Sequence, residues 1–486
     1  MEKTETKRLN RTNANLNQQL PIKVVQYGEG NFLRAFVDYI IDELNKKAKF
    51  NAGVAVVQPL PNGLVNLLNE QDGLYNLFMK GVKKGEEIQK RETISCIQKS
   101  INPYENYEAY LDLAKEEELE FLISNTTEAG IAFDETDTLE GTPHNSFPAK
   151  VTALLYRRYK YFKGAADKGL TIIPCELINY NADTLKEIIL KYTNLWKLEE
   201  EFVGWIKKHN HFHNTLVDRI VPGYPKGDID AYQSELELED KLIVSAEVFL
   251  LWVIEGGDKL KSKIPLDKID ENILVVEDLQ PYRTRKVRIL NGAHTTMVPF
   301  SILFGNETVK ETVDHPFTGK FIKEAVFEEI NPTLKLSKEE LDSFAEEVFD
   351  RFRNPFIKHQ LSSIALNSIS KFKVRVLPSL LTFQKKYNRL PLRLTFAFAC
   401  LLRFYKGEWN GNSLPVNDAP KTTSELKKAW EQHSYKEITE SVLKNESFWG
   451  MDLREVPQLE EKTALALQLI EAKGIEKGFE VFSGKF

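Results

Sequence analysis

The chain has 486 residues, more than a single hydrophobic core usually serves, and we therefore expect two domains. Its hydrophobic fraction of 42% and its charged fraction of 28% are typical of globular proteins. The net charge is -6, and the lysines and arginines are scattered along the sequence, which argues against a nucleic-acid partner.

The cysteines and the apolar stretches bear on the cellular compartment. Cys96, Cys175 and Cys400 are far apart and odd in number, which argues against a disulfide framework and against a cysteine zinc site. The polar N-terminus resembles neither a signal peptide nor a membrane anchor. The apolar stretch Leu392–Leu402 is interrupted by Arg393 and too short to cross a bilayer, so it predicts a buried helix. We expect a cytoplasmic protein without a membrane partner.

A strand, a glycine turn and a helix open the chain. Ile22–Tyr27 is a β-branched run, Gly28 and Gly30 follow it, and a helical pattern covers residues 35–44. This order is typical of a dinucleotide-binding unit, in which the first glycine makes a tight bend and the second lets the backbone approach a pyrophosphate. Leu33 stands where a third glycine is usual.

The second strand, residues 53–59, follows at the interval that a βαβ unit requires. The acidic residue that would hold the adenosine ribose at the end of this strand is absent, and Gln58 takes its approximate position. No arginine stands beside Gln58 to pair with a 2′-phosphate. The local chemistry therefore leaves open whether NAD or its phosphorylated form is preferred.

Further strands predict an α/β fold. Residues 74–78 and 92–97 alternate like antiparallel strands, with a hairpin turn at 81–87 as an insertion. Residues 120–130 predict a buried parallel strand whose polar end, Ser124 to Thr126, faces a ligand crevice. A helix at 149–163 and a strand at 170–176 follow.

Strand signals end near Ile273, and helical periodicity dominates beyond Pro281. Ser337 to Glu340 is a capping box that opens a helix, and Asn354-Pro355 ends it. Residues 406–420 form the clearest long loop. The second domain is therefore predicted to be mostly helical.

Lys286, Asn291 and His294 place an amine, an amide and an imidazole on one short segment. If the segment is helical, their side chains fall within roughly 140° of arc and can converge on one polar carbonyl or alcohol. The alternative is an ordinary helix with a solvated lysine and a core histidine. Gly292 favours the first interpretation, because glycine inside a helix costs about 1 kcal/mol unless close packing compensates.

Two other patterns have simpler explanations. His209, His211 and His213 alternate and could face a metal, but no cysteine or evident carboxylate completes a site, so an exposed polar segment is preferred. Tyr156 and Lys160 have the spacing of a tyrosine–lysine catalytic pair, but the basic helix around them favours a solvated face. We expect no metal.

Three separated motifs resemble the long-chain polyol dehydrogenases of the mannitol dehydrogenase type. They are Gly28-x-Gly30-x-Phe32, Val217 to Pro222, and Lys286-x4-Asn291-x2-His294. The resemblance covers nearly the whole chain. It implies a Rossmann-type NAD-binding domain over residues 1–281, a mostly α-helical substrate-binding domain over residues 282–486, and NAD(H)-dependent chemistry without a metal.

The resemblance also implies residue roles. Lys286 would be the general acid/base, and Asn291 and Asn181 would be amide donors to the reacting oxygen. His294 would orient the substrate or Lys286, and Asp218 would bind sugar hydroxyls or order the site. The predicted cofactor-binding residues are Gly28, Gly30, Asn31, Phe32, Gln58, Ser124, Asn125 and Thr126.

Residues 32–38, 179–181 and 354–360 most resemble the family members that act on hexuronates. This implies interconversion of D-tagaturonate and D-altronate, with fructuronate or mannitol as alternative substrates. A non-redox NAD-binding protein and an NAD-using epimerase are alternatives of other classes. A uronate carboxylate needs a cation, and the candidates are Lys358, His359, Lys373 and Arg375. The expected partner is a small sugar acid; monomer and dimer both stay open.

Overall fold

The computed structural model describes residues 7–127 and 129–486. The first six residues of the polar N-terminus, and Glu128 in the polar end of the strand predicted over residues 120–130, lie outside the described residues. The chain divides into two compact units. The first contains residues up to Lys80 and Ile88–Leu279, and the second contains Gly81–Glu87 and Gln280–Phe486.

Strands are concentrated in the first unit. They are β1 (Ile22–Tyr27), β2 (Gly53–Val57), β3 (Tyr75–Lys83), β4 (Glu86–Ile94), β5 (Ile97–Ile101), β6 (Phe121–Ser124), β7 (Thr171–Pro174), β8 (His211–Phe212), β9 (Thr215–Asp218), β10 (Val244–Glu247), β11 (Leu251–Glu255) and β12 (Ile273–Val276). The second unit contains the short pair β13 (Glu408–Trp409) and β14 (Asn412–Ser413).

The main sheet has the strand order β5-β2-β1-β6-β7-β8 within the described residues, and all of its pairs are parallel. Numbered along the chain within this sheet, the order is 3-2-1-4-5-6, which is the order of dinucleotide-binding folds. The predicted α/β class with a Rossmann-type N-terminal region is confirmed. Ligands of such sheets bind outside the carboxyl ends of the strands, near the point between β1 and β6 where the order reverses.

Both faces of the main sheet are covered, which explains why its strands are almost continuously apolar. Alternate residues of β1 and β2 enter different cores: Val24 and Val56 belong to one, and Val25 and Val57 belong to the other. All four side chains are fully buried.

The helices of the first unit lie between its strands along the chain. They are α1 (Asn31–Arg34), α2 (Val37–Ala48), α3 (Val65–Glu70), α4 (Tyr107–Asp112), α5 (Phe147–Tyr161), α6 (Asn181–Leu195), α7 (Glu200–His209), α8 (Ile229–Ser234) and α9 (Asp258–Lys263). The predicted helix at 149–163 corresponds to α5, and the one predicted at 35–44 corresponds to α2, which begins at Val37 and extends to Ala48.

The predicted insertion differs in two respects from the structure. The turn between its strands covers residues 84–85 rather than 81–87, because β3 extends to Lys83 and β4 begins at Glu86. Residues 92–97 were expected to form one strand, but β4 ends at Ile94 and β5 begins at Ile97 in the main sheet beside β2. The chain changes sheets at Ser95, whose backbone N–H and hydroxyl both donate to the Asp42 carboxylate at 3.0 Å. A side chain on α2 therefore breaks a strand that sequence alternation made continuous.

The second unit is mostly helical, as predicted. Its helices are α10 (Gln280–Lys286), α11 (Gly292–Phe304), α12 (Val309–Asp314), α13 (Pro316–Glu324), α14 (Lys338–Phe352), α15 (Leu361–Ile364), α16 (Ser368–Arg375), α17 (Leu377–Tyr387), α18 (Leu392–Phe404), α19 (Pro420–Ala429), α20 (Tyr435–Leu443), α21 (Glu446–Trp449), α22 (Leu459–Lys473) and α23 (Ile475–Ser483), with π-helical turns at Val287–Asn291 and Ala325–Ile330.

Two local predictions in this unit are confirmed. The capping box of Ser337 and Glu340 opens α14 with both reciprocal hydrogen bonds. The apolar stretch at 392–402 lies in α18, where Arg393 forms ion pairs with acidic residues that include Glu329. No helix among residues 7–127 and 129–486 is long and apolar enough to cross a membrane.

A buried carboxylate lies directly behind the glycine turn. The Gln26 side-chain N–H group donates to Gly28 O at 3.1 Å and to Asp38 Oδ2 at 3.3 Å, and Tyr75 donates to the same oxygen at 3.2 Å. Asp38 Oδ1 accepts no hydrogen bond from any described residue. Burial raises the pKa of Asp38 to about 7, although the hydrogen bonds from Gln26 and Tyr75 act in the opposite direction.

This raised pKa predicts that stability decreases between pH 5 and pH 8. The folded state holds the Asp38 proton more tightly than the unfolded chain does, and this difference stabilises the folded state. The stabilisation by the bound proton is complete below about pH 4 and is lost as the pH rises through 7. The free energy of unfolding should fall less between pH 5 and pH 8 in Asp38→Asn than in wild type, by about 2–4 kcal/mol. Urea denaturation at both pH values measures this difference. Asp258→Asn, at a fully exposed side chain, is the control and should leave the pH dependence unchanged. Equal slopes for wild type and Asp38→Asn would contradict the prediction.

Candidate active site

Lys286, Asn291 and His294 lie on one continuous helical segment of the second unit, formed by α10, the π turn and α11. All three side chains are half-buried. Between Ile289 and Ser301, all of which the structure describes, every residue except Asn291 and His294 is buried. From Ile289 to Ser301 the segment is therefore a core helix whose partly exposed positions carry polar side chains.

The π turn at Val287–Asn291 changes how these side chains are arranged. A regular α-helix would spread Lys286, Asn291 and His294 over roughly 140°. A π turn contains one more residue than an α turn, so the residues after it are rotated back by about 100° about the helix axis. The arc that contains Lys286, Asn291 and His294 then narrows to roughly 60°. The amine, the amide and the imidazole thus share one face more closely than the sequence predicted.

Gly292 is explained by close packing, as its position inside a helix suggested. A Cβ atom at this residue would lie 3.2 Å from the carbonyl oxygen of Arg375 and 3.9 Å from Ile330. The end of α16 therefore packs against the backbone of the segment between Asn291 and His294. This contact fixes the position of Arg375 relative to the proposed catalytic helix.

His294 lies beside His359, another predicted site residue. The two imidazole rings meet edge to face with centroids 5.1 Å apart, and Phe352 packs on His294 at 4.5 Å. Burial lowers the pKa of His359, and the nearby charge of Arg351 acts in the same direction. Lys358, next to it in sequence, is exposed.

The basic residues of α16 do not share one face. Lys373 extends to Gly450: a Cβ atom on Gly450 would lie 3.3 Å from the ammonium nitrogen of Lys373. Lys371 and Arg375 are one helical turn apart, and the charge of Arg375 contributes to the lowered pKa of Lys371 after the larger effect of burial. The structure therefore separates Lys373 from the other two cations.

In the first unit, the glycine turn follows β1. Gly28 has φ +119°, and a Cβ there would lie 3.0 Å from both Asn125 O and Leu33 Cδ1, so only glycine fits. Leu33 packs beneath the turn in place of the usual third glycine. Outside its two chain neighbours, no described atom lies within 4 Å of the Cβ position of Gly30, so the backbone is open on this side, as the approach of a pyrophosphate requires.

Asn31 and Phe32 are held by neighbours in the first unit. Asn31 Oδ1 accepts a hydrogen bond from Arg34 at 2.9 Å, and its amide nitrogen lies 2.5 Å from where Gly223 would carry a Cβ. Phe32 stacks on Phe36 with ring centroids 5.0 Å apart. Asn31 therefore serves as a contact between the glycine turn and the segment after β9.

The polar residues after β6 are organised by a carboxylate that sequence reasoning did not select. Glu176 accepts hydrogen bonds from the hydroxyls of Ser124 and Thr126, each at 3.0 Å, and from the Thr126 backbone at 2.9 Å. Asn125 donates to Cys175 O at 2.8 Å. These side chains shape the carboxyl edge of the sheet. The signal that was available is a charged residue two positions after the end of the buried strand β7.

The structure also shows what occupies the position of the missing ribose-binding acid. Gln58 is buried and bonded within its own loop, donating to Leu60 O at 2.8 Å and accepting from Val65 N at 3.3 Å. Its side chain therefore supports the loop after β2. Burial raises the pKa of the neighbouring Glu29, while backbone N–H groups, including that of Leu64, act against this shift.

Asn181 is fully buried at the start of α6. Its amide nitrogen lies within hydrogen-bond distance of Pro174 O, Glu176 O and Thr215 Oγ1, at 2.9 to 3.1 Å. Its oxygen accepts from Thr215 N at 3.0 Å. Both amide hydrogens are used inside the protein, so this geometry does not support Asn181 as a donor to substrate. Asn181 holds the loop after β7 instead.

Asp218 ends β9 and is half-buried. The next residue, Arg219, is buried and donates to Ala35 O at 2.5 Å and to Glu247 O at 2.8 Å. Arg219 thus fixes the segment that carries Asp218 against the residues that follow α1. The motif at Val217 to Pro222 alone did not indicate this role for Arg219.

The two alternative patterns have structural explanations. His213 Nδ1 is 2.8 Å from Glu255 O, and His211 lies on the edge strand β8. Among the described residues, no group of three or more histidine, cysteine, aspartate or glutamate side chains is placed to hold a metal. Tyr156 and Lys160 both bind Glu199, which confirms a surface helix face.

Comparisons with known proteins cover almost the entire chain. Residues 22–268 match the model of the mannitol dehydrogenase Rossmann domain, and residues 278–471 match that of the mannitol dehydrogenase C-terminal domain. Altronate oxidoreductase from Bacillus subtilis (strain 168) is 47% identical over 466 residues, which are 96% of each chain.

Two solved structures share the fold. D-sorbitol dehydrogenase in a substrate-free form has a TM-score of 0.79 at 22% identity, covering 97% of this chain and 100% of the other. Mannitol 2-dehydrogenase from Pseudomonas fluorescens, in a ternary complex with NAD and D-mannitol, has a TM-score of 0.64 at 20% identity, covering 99% and 100%.

The packing of Gly292 predicts the effect of a larger side chain. We expect Gly292→Val to destabilise the protein by about 1–3 kcal/mol, because its side chain would overlap the Arg375 carbonyl. Urea denaturation measures the change. Gly204→Val is the matched control, since no described atom lies within 4 Å of a Cβ at this other helical glycine. A similar loss of stability in both variants would show that helix propensity, rather than this contact, determines the effect.

Proposed function

The chain belongs to the mannitol dehydrogenase family, and we propose that it is an NAD-dependent oxidoreductase that interconverts D-tagaturonate and D-altronate by hydride transfer. The Bacillus subtilis relative, which carries the name altronate oxidoreductase, supports this substrate pair over fructuronate or mannitol. The observation that carries the proposal is that Lys286, Asn291 and His294 are partly exposed on one helical segment, in which residues 289–301 are otherwise buried.

Each group on this face has a role in the reaction. NADH, when bound, supplies the hydride. In the reductive direction, Lys286 gives a proton to the oxygen of the former ketone, and in the oxidative direction it accepts that proton. The Asn291 amide donates a hydrogen bond to the same oxygen, where negative charge develops. His294, held between Phe352 and His359, orients the sugar.

The cofactor assignment rests on the first unit. Gly28 makes the turn after β1, and a Cβ at Gly30 would meet no described atom within 4 Å outside its chain neighbours, so the backbone there is open to the approach of a pyrophosphate. The exposed apolar side chains Leu60 and Leu177 lie on the loops after β2 and β7, where flat aromatic rings of a dinucleotide would contact them. Asp218 is the proposed ligand of the sugar hydroxyls.

Arg375 is the proposed partner of the substrate carboxylate. Its carbonyl packs against Gly292, and burial lowers the pKa of its half-buried guanidinium. It forms no ion pair with any residue that the structure describes. A desolvated arginine without an anion is suited to bind a carboxylate through two parallel hydrogen bonds. Lys373, directed to Gly450, is less suited to this role.

The wider assignments are also proposals. We assign cofactor binding to residues 1–281 and substrate binding to residues 282–486; the change of compact unit at Leu279 and Gln280 supports this division. The partner is a small sugar acid. A cytoplasmic location is supported by the three cysteines, which are unpaired and buried.

The function predicts NADH oxidation by tagaturonate that depends on Lys286. Absorbance of NADH should decrease with tagaturonate and much less with fructuronate or fructose. Lys286→Ala should lower kcat by about 10²- to 10⁴-fold, because the proton donor is lost, while NADH binding stays unchanged by fluorescence titration. Lys338→Ala, at an 82% exposed side chain, is the control.

Other outcomes identify the alternatives. NADH binding without oxidation by any of the three substrates would indicate a non-redox protein. Conversion of the sugar without a change in absorbance would indicate an epimerase. Full activity of Lys286→Ala would remove that residue from the mechanism.

The carboxylate assignment predicts different effects for two neighbouring cations. Arg375→Ala should raise the KM for tagaturonate by about 10- to 100-fold with a smaller change in kcat, since a charge-assisted contact of ground and transition states is lost. Lys373→Ala is the matched control on the same helix and should leave the KM within about twofold. Equal effects of the two substitutions would contradict the assignment.

A further inference from the structure

In a parallel dinucleotide-binding sheet, the adenosine half of the dinucleotide is bound at the carboxyl ends of the first two strands. Here β1 and β2 pair in parallel with Tyr27 opposite Val57, and Gly28 N donates to Val57 O at 3.0 Å. The residues after the two strands are therefore neighbours at the carboxyl edge. An acidic residue at the end of the second strand usually accepts the ribose hydroxyls, and this chain has Gln58 there.

Glu29, from the glycine turn, extends into the loop after β2. A Cβ on Gly63 would lie 2.1 Å from Glu29 Oε1 and 2.5 Å from Gln58 Oε1, so both side chains pack against the same glycine. The Glu29 carboxylate also accepts a hydrogen bond from the backbone of Leu64. The acidic group thus reaches the loop after the second strand from the end of the first.

Glu29 is the only charged residue in the sequence segments 28–31 and 58–65, which follow the two strands. The nearby Arg34 is fully buried and directs its guanidinium inward, donating to Glu29 O at 3.0 Å and to Leu242 O at 2.6 Å. Arg34 therefore positions the backbone of Glu29 and offers no cation to a phosphate at the surface of these loops.

We propose that Glu29 determines the choice of cofactor: its carboxylate accepts the 2′-hydroxyl of the adenosine ribose and repels a 2′-phosphate. This inference rests on the proposed function, because it assumes a dinucleotide over the ends of β1 and β2. It assigns to a residue of the glycine turn the role that the second strand carries in related sheets. Gln58 supports the loop against which Glu29 is placed.

Binding of NADH and NADPH to the full-length protein, measured by fluorescence without substrate, tests the proposal. Wild type should bind NADH more tightly, and Glu29→Gln should reduce the preference by on the order of 10- to 100-fold, since one charge-assisted hydrogen bond and one repulsion are removed. Glu29→Asp keeps the charge and should retain the preference. Gln58→Ala should weaken both cofactors alike. An unchanged preference in Glu29→Gln, or its loss in Gln58→Ala alone, would overturn the proposal.

A second measurement applies even if Glu29→Gln does not fold. AMP and 2′-deoxy-AMP compete with NADH for the wild-type protein, and the deoxy compound should bind about 10-fold more weakly or worse, because it lacks the hydroxyl that the carboxylate accepts. Equal inhibition by the two nucleotides would overturn the role of Glu29. These binding measurements are independent of turnover, so a failure to oxidise NADH with tagaturonate would count against the proposed function alone.

Discussion

The parallel order of the main sheet is the constraint on which the rest of the first unit depends. Because its strands run in the same direction, their carboxyl ends lie on one edge, where the chain must leave the sheet through loops rich in polar groups. Those groups satisfy one another: Glu176 binds the loop after β6, Gln58 binds its own loop, and Asn181 ties β7 to β9. The edge is therefore a preorganised surface whose remaining open positions, such as the space before Gly30, are available to a ligand.

In the second unit, the proposed reactive side chains belong to a largely buried helical segment. Apolar packing surrounds the segment from Ile289 to Ser301, and only Asn291 and His294 within that described range reach partial exposure. Packing of Gly292 on the Arg375 carbonyl brings a second helix close enough to contribute to the same region. A rigid apolar scaffold in this way holds polar side chains in fixed positions, which reduces the reorganisation that a reaction would require.

Local patterns predicted most of the fold because they depend on neighbouring residues. The strand and glycine turn around Gly28, and the capping box at Ser337, are encoded within a few positions. The contacts that sequence reasoning missed join distant residues: Ser95 with Asp42, Asn181 with Thr215, and Glu29 with Gly63. A residue type reveals that a side chain can form hydrogen bonds, but only the fold reveals whether those bonds are already used. The family resemblance implies a substrate role for Asn181, but in the structure its amide hydrogens are used by Pro174, Glu176 and Thr215.

The π turn before Gly292 has a consequence for how the site can vary. A π turn contains one residue more than a turn of α-helix. The number of residues in the turn therefore sets the angle about the helix axis between Lys286 and the residues that follow. Substitutions within Val287–Asn291 change contacts but keep this count of residues. A deletion or insertion would rotate Asn291 and His294 away from Lys286 together, along with the packing of everything that follows. One deletion or insertion can therefore remove the shared face of Lys286, Asn291 and His294. Single substitutions change this angle little.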